Sequence, residues 1–234
     1  MIPRRRWQTG KKHKSVITKN FYFKTVQFLN LFANLFLLEV FEKYTFEINI
    51  KRFKIKERQE LVPSGTKLKP TDYAASHIAP EFWNEFLENK NTILIDVRNN
   101  YETSVGTFKG ALNPDTRNFR EFKHFVKENK KNFKGKKIGI FCTGGIRCEK
   151  ASSIFKSEDI NDVHQLKGGI LSYLANTKDK KLWEGECFVF DERVTVDKDL
   201  NKGSFYQCFA CRRPLSEKDL ESTHYSGGVS CHQC

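Results

Sequence analysis

Three short apolar segments, separated by amphipathic stretches, constrain the fold of this chain more than any other feature. They are TILIDV (92–97), KKIGIFC (136–142) and DVHQL (162–166). Each has the length and composition of a strand that is buried on both faces, as in a parallel sheet. Helical patterns occupy 79–90, 117–131, 147–157 and 170–177. This alternation predicts an open α/β sheet flanked by helices, in which ligands bind at the carboxyl ends of the strands.

The second apolar segment ends in a cysteine that is followed by a glycine-rich turn. The turn consists of Cys142, Thr143, Gly144, Gly145, Ile146 and Arg147. Backbone N–H groups of such a turn, together with the N-terminus of a helix that begins near Arg147, favour a thiolate and a bound anion. We therefore predict that Cys142 is a nucleophile and that Arg147 lowers its pKa. The alternative is that Cys142 is a small buried apolar residue.

The last 27 residues contain two cysteine pairs with the spacing of a metal site. Cys208-x-x-Cys211 is separated by nineteen residues from Cys231-x-x-Cys234. This spacing is typical of a four-cysteine zinc ribbon, and four thiolate ligands leave no position for a water, so the zinc would be structural. The alternatives are that His224 or His232 replaces one of the cysteines as a ligand, or that all four thiols are free.

Charge and cysteine content indicate the partners and the compartment. The chain has 41 Lys and Arg against 28 Asp and Glu, and residues 1–60 hold 14 of the former and 5 of the latter. The net charge of +13 predicts an anionic partner, either nucleic acid or a membrane surface, although a solvated basic tail has the same composition. Seven cysteines and no secretory signal predict a reducing, cytoplasmic location.

Composition divides the chain into four parts. Residues 1–60 form a basic segment with an amphipathic helix at 26–41 and an edge strand at 45–56, and 61–78 form a linker. The α/β domain is predicted at 79–181, and 182–234 form a loop-rich extension with the cysteine pairs. A membrane span at 26–41 is disfavoured, because the apolar run is shorter than the roughly 20 residues required and contains Glu39.

The central part resembles a rhodanese domain. The resemblance rests on ILIDVRNNYETSVGTFKGALNP (93–114), the cysteine loop and VHQLKGGI (163–170). It implies a rhodanese-like open parallel sheet, a loop of six residues opened by Cys142, and family positions at Asp96, Arg98 and Glu102 near that loop. Phosphatases of the same fold need an arginine where this chain has Cys148, so a phosphatase is disfavoured.

Further motifs are similar to one subfamily, the rhodanese-like tRNA uridine hydroxylases. These motifs are FCTGGIRCEKAS (141–152), LWEGECFVFDERV (182–194) and C-x-A-C-R-x-P with the last two cysteines (208–234). The resemblance implies tRNA as the partner, oxygen addition at C5 of the wobble uridine with molecular oxygen as co-substrate, and Cys142 as the essential residue. The chain has no flavin, haem or non-haem iron signature.

Family members usually begin with a complete ferredoxin-like domain and continue beyond the cysteine pairs. Only residues 46–62 resemble the end of that domain, so we expect a chain truncated at both ends. Two other functions use the same residues: a sulfurtransferase that carries a persulfide on Cys142, and a non-catalytic tRNA-binding fragment. The motifs assign no role to Cys148, and they place Cys187 in the core. A nucleic-acid path could follow the basic residues of helix 117–131, which are Arg117, Arg120, Lys123, Lys127 and Lys130.

Overall fold

A computed structural model of the chain describes residues 60, 62–68 and 75–234. All of them belong to one structural unit, 58–234. The helix predicted at 26–41, the strand at 45–56 and the ferredoxin-like remnant lie outside the described residues. Within the described part, no helix is both long and apolar enough to cross a bilayer.

The described residues form short strands and helices in the predicted alternation, followed by small antiparallel pairs. The strands are β1 (Ser76–Ile78), β2 (Thr92–Asp96), β3 (Gly106–Phe108), β4 (Lys137–Phe141), β5 (Val163–Leu166), β6 (Trp183–Gly185), β7 (Cys187–Phe188), β8 (Thr195–Val196), β9 (Tyr206–Gln207) and β10 (Pro214–Leu215). The α-helices are α1 (Pro80–Glu88), α2 (Asn100–Thr103), α3 (Phe122–Glu128), α4 (Lys130–Phe133), α5 (Ile146–Ser157), α6 (Gly169–Asn176) and α7 (Glu217–Leu220). A 3₁₀ helix, Phe119–Glu121, precedes α3.

A four-stranded sheet in the order β1-β5-β4-β2 forms the centre of the domain. All three pairings are parallel, with Ile95 opposite Ile140 and Ile140 opposite Gln165. Ile95, Ile138 and Ile140 have no exposed surface, as expected for strands covered by helices on both faces. The α/β class and the three predicted strands are therefore confirmed.

The fourth strand, β1, lies within the segment that the sequence predicted as a linker, 61–78. It pairs with β5, with Ser76 opposite His164. A strand of three residues at the edge of a sheet has too few positions to show a periodic pattern, and for this reason the sequence did not reveal it.

The described linker residues nearer the N-terminus also pack on the domain. Val62 and Leu68 contact the main apolar cluster, and Ser64 is fully buried. Lys150 of α5 donates hydrogen bonds to the carboxylate of Glu60 at 2.8 Å and to the carbonyl of Leu68. Residues 62–68 are therefore packed against α5 rather than forming a free spacer.

The helix predicted at 117–131 is interrupted. Its apolar face is buried as predicted, since Phe122 and Val126 have no exposed surface. At Asn129 the backbone leaves the helical region, with φ −96° and ψ 7°, and the side chain donates to the carbonyl of Phe125 at 3.0 Å. The backbone N–H of Asn129 donates to the same carbonyl at 3.1 Å, so Asn129 ends α3 with both groups and α4 begins at Lys130.

Candidate active site and metal centre

Cys142 directly follows β4, at the carboxyl edge of the sheet. Helix α5 begins at Ile146, one residue earlier than predicted, and Gly145 precedes it with φ +88°. This left-handed conformation is strained for residues with a side chain, which explains the glycine. The strand, turn and helix predicted around Cys142 are therefore present.

The sulfur of Cys142 is surrounded by hydrogen-bond donors. The backbone N–H of Gly145 donates to Sγ at 3.1 Å, and the backbone N–H of Cys148 donates to the carbonyl of Gly145 at 3.0 Å. The backbone N–H groups of Arg147 and Cys148 also help to lower the pKa of Cys142. The residue is only 2% exposed. The hydrogen bond from the Cys148 thiol, opposed by burial and assisted by the charge of Arg147, lowers the pKa of Cys142 from 9.0 to about 6. Cys142 is thus a thiolate at neutral pH.

Cys148 lies on the first turn of α5 and has no exposed surface. Burial, together with the adjacent Cys142 sulfur, raises the pKa of the Cys148 thiol well above its usual value. Cys148 therefore remains protonated and donates its hydrogen bond to the Cys142 thiolate. The sequence motifs had assigned no role to this residue.

Arg147 is held in place by a buried carboxylate. Its Nη1 and Nη2 atoms lie 2.5 and 2.7 Å from the two carboxylate oxygens of Glu102, which is fully buried on α2. Burial opposes the charged form of Arg147, but the bidentate contact with Glu102 raises its pKa above the usual value. Glu102 also accepts a hydrogen bond from the backbone of Asn99 at 3.2 Å. Arg147 is thus a fixed cation, and Glu102 neutralises most of its charge.

Helix α6 fixes the other side of the cysteine loop. The backbone N–H groups of Ile170 and Leu171 donate to the carbonyl oxygens of Cys142 and Thr143 at 2.9 and 3.1 Å. Gly169 allows this approach, since a Cβ atom there would lie 2.4 Å from the carbonyl oxygen of Cys142. The sequence showed a second pair of glycines at this strand end, but not that they support the loop.

Asp96 and Arg98 form a buried ion pair. Arg98 Nη2 lies 2.6 Å from Asp96 Oδ2 and 2.6 Å from the carbonyl oxygen of Gly106, and both side chains have no exposed surface. Thr107 donates to the same Asp96 oxygen at 2.8 Å. These bonds connect β2 to β3 and stabilise the sheet edge, while the role of Asp96 and Arg98 as substrate or loop residues stays a prediction.

Two exposed apolar side chains lie beside the charged part of the loop. Ile146 is 55% exposed and Phe190, in the turn between β7 and β8, is 69% exposed. The guanidinium carbon of Arg147 lies 5.9 Å from the centre of the Phe190 ring. Two cavities of about 250 and 270 Å³ open elsewhere on the domain and include no residue of the loop. The exposed Phe190 ring therefore borders Arg147 of the cysteine loop.

The four C-terminal cysteines converge. The Cys208–Cys234, Cys211–Cys231 and Cys231–Cys234 sulfur pairs are 3.8, 3.7 and 3.7 Å apart, and all four sulfurs lie within 4.8 Å of one another. Zinc–sulfur bonds of about 2.3 Å in a tetrahedron place the sulfurs about 3.8 Å apart. The predicted group can therefore hold a metal ion of this kind.

The sequence left open that His224 or His232 replaces one of the cysteines. Among the described residues, the group that can hold a metal consists of the four cysteines and includes neither histidine. The Nδ1 atom of His232 lies 3.8 Å from a carboxylate oxygen of Asp219. The backbone N–H of Cys211 lowers the pKa of Cys208 to about 7, which favours the thiolate that metals bind.

Comparison with known families identifies the central domain of the chain. Residues 78–176 match the family model for the Rhodanese-like domain, so the chain carries a rhodanese-like domain, as the resemblance predicted. Over 198 residues, the chain is 46% identical to the tRNA uridine(34) hydroxylase of Acinetobacter baylyi (strain ATCC 33305 / BD413 / ADP1). The match covers 84% of this chain, which spans 63% of that relative's length. The resemblance to the rhodanese-like tRNA uridine hydroxylases is thereby confirmed.

Solved structures of rhodanese-like domains are also similar. The rhodanese-like domain of an Anabaena sp. protein is 19% identical and covers 47% of this chain and 78% of its own, with a TM-score of 0.39. A rhodanese-related protein from Thermoplasma volcanium is 22% identical and covers 43% of this chain and 91% of its own, with a TM-score of 0.33.

Proposed function

We propose that this chain hydroxylates C5 of the wobble uridine in tRNA, with Cys142 as the reacting residue. One observation carries the proposal: the match to the Acinetobacter hydroxylase covers 198 residues, about twice the length of the 78–176 domain. The likeness therefore extends beyond the domain that sulfurtransferases share, into the flanking segments that distinguish the subfamily.

The thiolate supports a nucleophilic role. In the proposed route, the Cys142 sulfur adds to C6 of the uracil ring, which makes C5 nucleophilic toward oxygen. After C5 gains one oxygen atom from molecular oxygen, C5 loses its proton and the sulfur leaves C6. The second oxygen atom becomes water, which requires two electrons and two protons from an external reductant.

The charge around Cys142 favours a neutral substrate. With the thiolate formed, Cys142 and Glu102 contribute two negative charges and Arg147 contributes one positive charge. This net negative charge opposes the second anion that the turn alone was expected to favour, such as thiosulfate, because Glu102 already pairs with Arg147. Uracil carries no charge and is not repelled. This difference supports hydroxylation over the sulfurtransferase alternative, in which Cys142 takes sulfur from an anionic donor as a persulfide.

The remaining parts of the chain have supporting roles in this proposal. The basic residues of 1–60 bind the phosphate backbone of tRNA. Zinc on Cys208, Cys211, Cys231 and Cys234 stabilises the extension 182–234, where each of its four positions is filled by a thiolate. The domain 79–181 supplies the reacting loop.

Nucleoside mass spectrometry tests the proposal. A strain without any related hydroxylase receives either this chain or its Cys142→Ala variant. We expect 5-hydroxyuridine and nucleosides derived from it in the tRNA of cells with the wild-type chain only. Two results together would favour the sulfurtransferase instead. These nucleosides would be absent from both strains, and the purified wild-type chain, but not Cys142→Ala, would transfer sulfur from thiosulfate to cyanide.

A further inference from the structure

We propose that Phe190 is the surface on which the target uracil stacks while it faces Cys142. This inference rests on the proposed function and adds a substrate contact that neither the rhodanese-like domain nor the cysteine loop supplies. Phe190 lies in the segment LWEGECFVFDERV (182–194), outside the matched domain at 78–176.

The exposure of Phe190 distinguishes it from most aromatic side chains of the domain. Phenylalanines 108, 122, 133, 141, 155 and 188 are all almost fully buried, whereas Phe190 is 69% exposed. A large exposed apolar side chain beside a reactive group is a common feature of a binding site. The exposed ring offers the area that a flat ligand needs.

The β7–β8 hairpin holds the ring in place. The N–H of Val189 donates to the carbonyl of Val194 at 2.9 Å, which closes the turn on both sides of Phe190. The Phe190 ring packs edge-to-face on Phe188 at a centroid distance of 5.2 Å, and Phe188 packs in the same way on Tyr101 at 5.4 Å. Phe190 is thus an exposed ring on a buried aromatic support.

The same hairpin is connected to the cysteine loop. Thr143 Oγ1 donates to the carbonyl oxygen of Phe188 at 3.5 Å, and the Arg147 guanidinium carbon lies 5.9 Å from the Phe190 ring centre. The charge of Arg147 also helps to lower the pKa of the Cys142 thiol. Arg147 belongs to the cysteine loop and its guanidinium lies against the exposed ring, so the ring borders the loop that carries Cys142.

The chemistry of this surface fits a nucleobase. Aromatic side chains bind single-stranded nucleic acids by stacking on the bases, and enzymes that modify a base take it out of the helical stack and hold it between such groups. The arginine cation against the ring has its charge neutralised by Glu102. A neutral, flat pyrimidine suits this surface better than an anion does.

The test measures binding, so that it does not depend on turnover. Two anticodon stem–loop RNAs are compared, one with uridine at position 34 and one with an abasic site there. Phe190→Ala should weaken binding of the uridine RNA about 5- to 100-fold, in the range that base–aromatic stacking supplies. Binding of the abasic RNA should change less than about 2-fold, since its missing base cannot stack.

Matched variants separate stacking from folding. Phe190→Tyr, which keeps the ring, should bind like the wild type, and Phe82→Ala, at a phenylalanine of α1 that is 59% exposed, should change neither affinity. The alkylation rate of Cys142 should be the same in all variants. A stem–loop with 5-iodouridine at position 34 should photo-cross-link to Phe190, as identified by mass spectrometry.

The outcomes distinguish this inference from the proposed function. Equal loss of affinity for both RNAs in Phe190→Ala, or a cross-link only at other residues, would overturn the stacking surface and indicate a docking surface for another part of the tRNA or for a protein. If the cross-link forms at Phe190 but cells with the wild-type chain contain no 5-hydroxyuridine, the inference stands and the hydroxylase proposal fails.

Discussion

Cys142 combines two properties that normally oppose each other, because its side chain is buried and yet its thiolate is stabilised. Burial alone raises the pKa of a thiol, as it does for Cys187, whose pKa is raised to about 12 by desolvation. Cys142 differs because the Cys148 thiol, the charge of Arg147 and the backbone N–H groups near the sulfur all lower its pKa. The hydrogen bonds, rather than the burial, decide its charge.

The rate of Cys142 alkylation by iodoacetamide should depend on pH with a midpoint near 6, since its pKa is lowered from 9.0 to about 6. The thiolate fraction increases as pH rises through this value, so the rate should be nearly constant above about pH 7. Cys148→Ala removes the strongest donor and should move the midpoint toward 9. Cys148→Ser keeps a donor and should move it much less. Equal shifts in the two variants would contradict a hydrogen-bond role for Cys148.

At the scale of elements, helix α6 and the cysteine loop behave as one unit. The two loop carbonyls accept hydrogen bonds from the first turn of α6, at the positive end of the helix. One position on each side favours glycine. Gly145 does so because of its φ of +88°, and Gly169 because of its φ of +66° and its close contacts with the loop.

Gly169→Ala should therefore displace the loop. The new Cβ would overlap the carbonyl oxygens of Cys142 and Thr143, at 2.4 and 2.7 Å, in a backbone conformation that is already strained for alanine. We expect a loss in the free energy of unfolding on the order of 2–4 kcal/mol, measured by urea denaturation, together with slower Cys142 alkylation at pH 7. Gly144→Ala is the control, because its Cβ would meet no atom within 4 Å. A stable, fully reactive Gly169→Ala chain would contradict the close approach.

The four-cysteine group should hold one zinc ion per chain. Inductively coupled plasma mass spectrometry of Cys231→Ser should show loss of the metal, and hydrogen exchange should increase in 206–234, while the sheet β1-β5-β4-β2 stays protected. His232→Asn should keep its zinc, since His232 lies against Asp219 and outside the cysteine group. Zinc loss in His232→Asn would instead support a histidine ligand.

The sequence predicted the elements whose pattern is local, and it missed those that depend on tertiary contacts. The strands at 92–96, 137–141 and 163–166 were predictable because their residues are apolar without alternation, as burial on both faces requires. The cysteine loop was predictable because it requires glycine at a particular position. Neither the edge strand Ser76–Ile78 nor the support of the loop by α6 has a local pattern, since both depend on residues far away in the chain.

The same distinction holds within the site. The sequence indicated Arg147 as a cation for the thiolate, but its bidentate contact with Glu102 joins residues 45 positions apart. Asp96 and Arg98 were predicted from the resemblance as loop residues, whereas their described bonds go to each other and to Gly106 and Thr107. A motif therefore indicates which residues matter, but not which atoms each of them contacts.

For the whole molecule, the net charge of +13 governs binding to a polyanion. Affinity for tRNA should fall steeply with salt, and the slope of log K against log salt should equal about −0.7 to −0.9 for each phosphate neutralised. Replacing Arg4, Arg5 and Arg6 with Gln should reduce the steepness of the slope by about 2–3 if all three contact phosphates. Filter-binding assays at several salt concentrations measure this slope for the wild type and the variant. Lys181→Gln is the control, because Lys181 is paired with Asp179 at 3.0 Å; an equal reduction there would mean that the arginines have no special role.

The bonds from α6 to the carbonyl oxygens of Cys142 and Thr143 have a consequence for induced fit. A loop tied at both carbonyls and closed by a left-handed glycine is in its binding conformation before any ligand arrives, so ordering it contributes no entropic penalty to association. If the proposed function holds, the conformational adjustment is left to the RNA, which must unstack its nucleotide to bring a pyrimidine edge to the Cys142 sulfur. Anticodon loops that already expose an unstacked base should therefore associate fastest, and changes that stiffen the RNA should slow association more than changes that stiffen the protein.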